Sequence, residues 1–318
     1  LEDADPMVRI EAARALGARH VVGAVAPVVH RLQQVSLDDL EGEDEHTALT
    51  EALIDMADSD ADGVDRAIGV LAQALEGAQE PVRVAIARVI GRIGRPQDGE
   101  IVALLLHDAS APVRRAGVDA LGRLDPSAAA EPLHLAIADE SVDVRIAAAS
   151  VLGDTLGAGA LMDLCRLAED ADPRVRAMAI AAVGRLVAEG VDADHAPLVG
   201  GVLDAACADE VPVALAAIES VRLHGGPLDR IEALLHRSEP EVVRESVRCL
   251  GSRGDVGTLE AVIPMAAHPD WSVRAEAIEV LSERGVVRAL PAILHRMDLE
   301  QDEFVRTVIL RALERLEG

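Results

Sequence analysis

Aromatic side chains are almost absent: the 318 residues include one Trp, one Phe and no Tyr. A single globular core of this size would use more of them, because each aromatic buries a large area. Lysine and asparagine are missing altogether, so all 30 cations are arginines, set against 56 carboxylates for a net charge of −26. An acidic surface of that strength repels phosphate backbones and excludes general nucleic-acid binding. The single-type cation usage reads as a GC-rich coding bias and predicts a bacterial source. Cysteines number three, with no CxxC spacing, which argues against a disulfide framework and against structural zinc. Cys165, Cys207 and Cys249 therefore read as buried thiols of a reducing cytoplasm. No apolar run reaches the roughly 18 residues needed to span a bilayer, and no signal peptide opens the chain. A cytoplasmic location is the expectation.

What the chain does have is a repeat. PVRVAIARVIG (81–91), PVRRAGVDALG (112–122), DVRIAAASVLG (143–153) and RVRAMAIAAVG (174–184) are versions of one unit. Their anchors Val82, Val113, Val144 and Val175 lie 31 residues apart. The unit recurs as MVRIEAARALG (7–17), and more loosely at 241–251, 272–282 and 304–314. Decayed copies fall at 212–222 and 46–57, making about ten. Within each unit apolar residues follow the Val at four, seven and eight places, one face of a 3.6-residue helix. Asp5-Pro6 and Asp172-Pro173 are helix starts, and Ser110 and Ser141 are alternative caps. Gly17, Gly91, Gly122, Gly153, Gly184 and Gly251 come just past the last apolar residue, where a left-handed closing residue is wanted. Second amphipathic segments lie between these helices. One helical pair cannot bury its apolar faces alone, so neighbouring pairs must stack into an all-α solenoid.

The run of acid, two residues, Val-Arg, an Ala-rich stretch and Leu-Gly, at a period of 30–31, resembles the HEAT repeat, with its bacterial phycobilin-lyase-like subgroup nearest. The resemblance covers nearly the whole chain. It implies an all-α right-handed superhelix of nine to ten helical-hairpin repeats over residues 1–318, with irregular repeats around 33–62 and 188–222. It further implies that the Val-Arg helices line the concave side. A ladder between the repeated arginines and an acid of the same or a neighbouring repeat is also implied, through Arg9, Arg83, Arg114, Arg145, Arg176, Arg274 and Arg306. Ala214 and Val243 occupy the equivalent places and are expected to interrupt it. Asp5–Arg9, Asp172–Arg176, Asp270–Arg274 and Asp302–Arg306 are spaced for pairing within a first turn. A residue found in every unit serves what every unit needs, which is stacking.

Two segments break the period: the acidic insertion 33–46 and the longer loop 188–197. Residues 1–5 read as the tail of a helix whose start is missing, and there is no initiator Met, so a fragment of a longer protein is expected.

Chemistry is hard to find. Asp58, Asp60, Asp62 and Gly63 match the start of a calcium loop, but its twelfth place is Gly69 where a bidentate Glu is needed. The ten histidines form no His-Glu dipeptide, which the di-iron HEAT-like enzyme deoxyhypusine hydroxylase would need. HEAT-like DNA glycosylases need a basic groove with aromatics, and Trp271 reads instead as a packing plug. Neither a GxSxG nor a P-loop occurs. No catalytic residue, metal or cofactor is expected.

Places two, three and six after each Val are expected to face the concavity. Towards the ends they are charged: Glu11, Arg14, Arg88, Asp119, Glu245, Arg248, Glu276, Glu279 and Arg311. In the middle they become small and apolar: Ile146, Ala147, Ser150, Ala177, Met178, Ala181, Leu215 and Ala216. Such a strip suits an apolar helix or extended peptide. The sequence thus predicts a non-enzymatic scaffold for a protein partner, without direct nucleic-acid binding or membrane insertion. Phycobilin-lyase-like chromophore attachment, or a chaperone subunit, is the alternative.

Overall fold

The computed structural model describes residues 1–57, 61–124, 130–155, 157–190 and 195–317. Among them every regular element is helical, and they group into two compact units, Leu1–Leu156 and Gly157–Gly318. The first unit holds α1 (Pro6–Ala18), α2 (Val25–Leu32), α3 (Leu40–Ala57), α4 (Ala61–Leu75), α5 (Glu80–Ile93), α6 (Gly99–Leu105), α7 (Ala111–Leu124), α8 (Ala130–Ala136) and α9 (Val142–Thr155). The second holds α10 (Leu161–Leu167), α11 (Pro173–Gly190), α12 (Ala196–Ala208), α13 (Val211–His224), α14 (Asp229–Ala233), α15 (Pro240–Arg253), α16 (Val256–Leu259), α17 (Trp271–Glu283), α18 (Leu290–Leu299) and α19 (Glu303–Glu317).

Odd-numbered helices form the Val-Arg rank and even-numbered ones a flanking rank. In the first unit α1 packs on α3, α3 on α5, α5 on α7 and α7 on α9; in the second, α11, α13, α15, α17 and α19 follow in the same way. Most flanking helices are shorter, α4 and α12 excepted, and they close the other side of each layer. Between α16 and α18 this rank continues as a 3-10 stretch, Glu260–Ala267, that contains Pro264. A proline inside a helix has no N–H for the regular ladder.

The core lies between repeats. Ala87 on α5, Leu105 on α6, and Val113 and Ala116 on α7 form one buried cluster, with Leu75 of α4 and Val84 packed against it. No hairpin supplies that cluster alone. Ile86, Ile90, Leu133 and Leu152 are likewise fully buried, each contributing about 1.5–3 kcal/mol by leaving water.

The recurring glycines serve these layers in a different way from the one the sequence suggests. Gly17, Gly91, Gly122, Gly184 and Gly251 lie inside their helices, and the positive-φ glycines are Gly77, Gly225, Gly226 and Gly285. A Cβ on Gly91 would stand 2.7 Å from Ala120 Cα, and one on Gly122 2.5 Å from Val151 Cγ1. The glycine admits the next Val-Arg helix instead of ending its own.

The insertion 33–46 differs from expectation as well. Its second half is the first turns of α3, and Glu45 is buried there at 2 % exposure. Of the calcium-loop match, 58–60 lie outside the described residues, whereas Asp62 and Gly63 sit in the first turn of α4. Of the loop expected at 188–197, 188–190 belong to α11 and 196–197 to α12, while 191–194 lie outside the described residues.

Candidate functional site

Four of the Val-Arg helices begin with an aspartate cap, whereas α5, α13 and α15 have no side-chain cap. Asp5 accepts from the Met7 amide at 2.9 Å, Asp172 from Arg174 at 2.9 Å, Asp270 from Ser272 at 2.8 Å and Asp302 from Phe304 at 2.9 Å. These carboxylates are spent on backbone amides, so the arginines four residues on reach elsewhere. Ser110 does not cap with its hydroxyl, which donates to Glu80 in the preceding repeat at 2.7 Å.

The repeated arginines share one geometry. Nε and Nη2 of Arg114 donate to Asp139 at 2.7 and 2.8 Å, while Nη1 donates to the carbonyls of Asp108 and Ala109. Arg83 makes the same fork with Asp108, and Arg176 with Asp209. Arg274 forks Glu300 at 2.8 Å through both nitrogens, and Arg296 joins the same carboxylate at 2.7 Å. Arg9 forks Glu45, which Arg31 also meets at 2.6 Å. Arg145 donates to the carbonyl of Asp139 at 2.8 Å, and Arg306 to that of Glu300 at 3.0 Å. Arg83, Arg114, Arg176 and Arg274 thus tie the start of their helices to the turn that begins the next Val-Arg helix.

Burial opposes ionisation of Glu45 and Glu300, but the converging guanidiniums outweigh it. Glu45 is held down to about 2, and Glu300 is held well below the usual carboxylate range. The bond from Arg83 lowers Asp108 in the same way, as that from Arg176 lowers Asp209.

The two expected interruptions behave differently. At Ala214 the missing guanidinium is supplied by Arg237. Its Nε and Nη2 fork Glu239 at 3.0 and 2.7 Å, and its Nη1 donates to the carbonyls of Asp209 and Cys207. At Val243 no side chain among the described residues replaces it, and the place of the matching acid is taken by His268. That ring accepts from the Asp270 amide at 3.1 Å, as Asp108 and Asp139 accept from the serines two residues on. Arg and acid have been lost together there.

The apolar strip is half-buried. Ile146 and Ser150 on α9, Ala177, Met178 and Ala181 on α11, and Leu215 and Ala216 on α13 keep partial exposure. Ala147 is buried at 5 %, as are Ala85 and Ala116 at the same place of their repeats, because an alanine there is small enough to sink between helices. In the second unit Ala181 and Ala216 line a cavity of about 340 Å³ with Arg185, Glu219, Leu223 and His224. Leu223 is 55 % exposed beside it. Sequence reasoning missed Leu223, whose place falls outside the two-three-six register.

In the first unit two cavities share Asp119. One, of about 240 Å³, is lined by Val84, Arg88, Pro112, Arg115, Ala116 and Asp143 among others. The other, of about 210 Å³, is lined by Gly122, Arg123, Ser150, Val151 and Asp154. Farther on, Arg248 bridges Glu245 and Glu276 at 2.8 Å each, so that stretch is neutralised internally.

Trp271 is no plug: it is 49 % exposed and meets the exposed Phe304 edge to face, with ring centroids 5.8 Å apart. Cys165, Cys207 and Cys249 are free and buried, and burial pushes all three thiols up, Cys249 to about 11. Among the described residues no cluster of His, Cys, Asp and Glu has the arrangement of a metal site, and no helix is long and apolar enough to cross a membrane.

The model of HEAT repeats matches residues 131–222 and 228–314. No curated protein matches the chain in sequence. Among solved structures, the chain is similar to Kap95 in the Kap95:Nup1 complex, with TM-score 0.71 and 16 % identity, covering 99 % of this chain and 49 % of that one. Importin beta gives 0.68 and 15 % over the same shares, 99 % and 49 %. YibA of Escherichia coli gives 0.56 and 18 %, covering 85 % and 96 %. The chain therefore spans about half the length of Kap95 and importin beta, and the likeness in each case is one of fold.

Proposed function

The chain belongs to the HEAT-repeat family, and from that premise we propose that it is a non-enzymatic scaffold binding a protein segment along its Val-Arg rank. The observation that carries this reading is the cavity of about 340 Å³ between α11 and α13. Its wall brings two strip residues, Ala181 and Ala216, together with the exposed Leu223. An apolar side chain from a helix or extended peptide seated there would be desolvated beside Glu219 and His224, which frame it with polar groups. The Kap95:Nup1 complex is a protein assembly on a similar fold, and it lends the reading support by analogy alone.

The test is capture of a partner from the source cell by the immobilised chain, compared with Met178→Glu and Leu223→Glu in the second unit. Loss of capture with unchanged helicity supports the reading; undiminished capture contradicts it. No observation among the described residues favours chromophore attachment, which would announce itself as visible absorbance after co-expression with a bilin pathway.

A further inference from the structure

Arginine is outnumbered in this chain, 30 cations to 56 carboxylates, and most guanidiniums near an acid are paired with it. On the Val-Arg rank this holds for Arg14 with Glu11, Arg222 with Glu219, and Arg248 with Glu245 and Glu276. The face of α5 and α7 departs from the pattern. Arg88, Arg115 and Arg123 are all exposed there, and among the described residues none of the three makes an ion pair or hydrogen bond. They surround Asp119, and all three pull on its carboxyl without contacting it, while desolvation pushes it up. Arg88 and Arg115 border the cavity of about 240 Å³, whose remaining wall includes the apolar Val84, Pro112 and Ala116. Arg123 borders the adjoining cavity of about 210 Å³.

We propose that this face, in the first unit, binds a protein segment carrying isolated carboxylates, an Asp or Glu side chain set between Arg88 and Arg115 with an apolar neighbour on the Val84–Pro112–Ala116 floor. The proposal rests on the scaffold reading and specifies the chemistry of one partner segment. Charge complementarity selects the occupant. Guanidiniums with no partner among the described residues attract an anion, and the planar fork of arginine suits a carboxylate. A continuous polyanion is disfavoured, because Asp119, Asp143 and Asp154 interleave with the arginines in the same walls and the chain as a whole is acidic. Carboxylates spaced by neutral residues meet the arginines and avoid those acids. A basic segment gains from the overall charge anywhere on the surface but is repelled here.

The experiment uses the full chain and three labelled peptides of equal length and equal leucine content, whose spacer residues are glutamate, glutamine or lysine, together with an oligothymidylate. Fluorescence anisotropy reads binding as salt is raised. The expected result is that the glutamate peptide binds more tightly than the glutamine peptide, against the net charge, and loses affinity with salt. Arg88→Glu combined with Arg115→Glu weakens it by about ten-fold or more, the scale of one lost charge-assisted contact. Arg19→Glu, an exposed arginine elsewhere in the same unit, leaves it unchanged. Circular dichroism checks that the variants stay helical. The proposal is overturned if the glutamine peptide binds as well as the glutamate one, a result that leaves the scaffold reading standing. Equal loss with Arg19→Glu, or oligothymidylate binding as tightly as the peptide, also overturns it. Failure of every peptide to bind also overturns it, whereas the scaffold reading stands or falls on capture of a partner at the α11–α13 cavity.

Discussion

Arg237 and Asp209 stand in for a contact that the sequence had lost. The Arg237 guanidinium donates to the Asp209 carbonyl at 3.0 Å, the carbonyl five residues before Ala214. Arg114, Arg176 and Arg274 each take the carbonyl five residues before themselves. Arg237 thus restores the contact from outside the Val-Arg helix. Its fork with Glu239, 25 residues after Ala214, completes the match to Arg114 and Asp139, which are 25 apart.

Arg237→Ala is therefore expected to destabilise the second unit by about 1–2 kcal/mol, the cost of leaving half-buried carbonyl acceptors without their donor. Ala214→Arg added to that variant should recover part of the loss, since it rebuilds the regular ladder. Urea unfolding of the two variants checks this; a double variant no better than the single would show that Arg237 is not a replacement.

Asp139→Ala removes the forked partner of Arg114, whose side chain is 8 % exposed. The expected cost is about 3 kcal/mol, because a nearly buried charge is left short of its partner. Glu140 also meets Arg114, at 3.2 Å, but is 85 % exposed, and Glu140→Gln should cost no more than about 1 kcal/mol.

Acid should unfold the layers through their ladder. Glu45 sits at about 2 in the fold against an ordinary 4.5, so its contribution is complete above about 4.5 and is lost as pH falls towards 2. Asp108 and Asp209 are depressed by the same kind of bond and add in the same direction. Glu45→Gln is expected to lower the Tm at neutral pH and to approach the parent as the pH nears about 2; a constant offset across that range would contradict the assignment.

Gly91→Ala should destabilise by about 1–3 kcal/mol, since its Cβ would meet the Ala120 backbone at 2.7 Å. Gly69→Ala, inside α4 with nothing within 4 Å, should instead stabilise by about 0.5–1 kcal/mol. The opposite signs separate a packing glycine from a merely permissive one.

The layering was legible in the sequence because each Val-Arg helix carries its own 3.6-residue stripe, and stripes such as those at Val82 and Val113 recur in phase. The role of Gly91 was not, since a glycine near a helix end looks the same whether it closes the helix or admits a neighbour. The destination of Arg176 was also hidden: Asp209 lies 33 residues on, whereas the spacing rule of an isolated helix points four residues back to Asp172. Arg237 left one trace, the acid Glu239 kept at its ladder place although Ala214 had lost the arginine. Arg88 and Arg115 were visible as residues, but the wall they share exists only once α5 and α7 are side by side.

Site-specific photocrosslinking addresses the scaffold reading most directly. A photoreactive side chain is placed at Leu223, 55 % exposed beside the α11–α13 cavity, or at Met162, 59 % exposed on the flanking helix α10. Both positions are open to solvent, so accessibility alone does not distinguish them. Irradiation in the source cell is predicted to yield a discrete protein adduct from Leu223 and none from Met162. An adduct from Met162 alone, or the same adducts from both, would contradict binding along the Val-Arg rank.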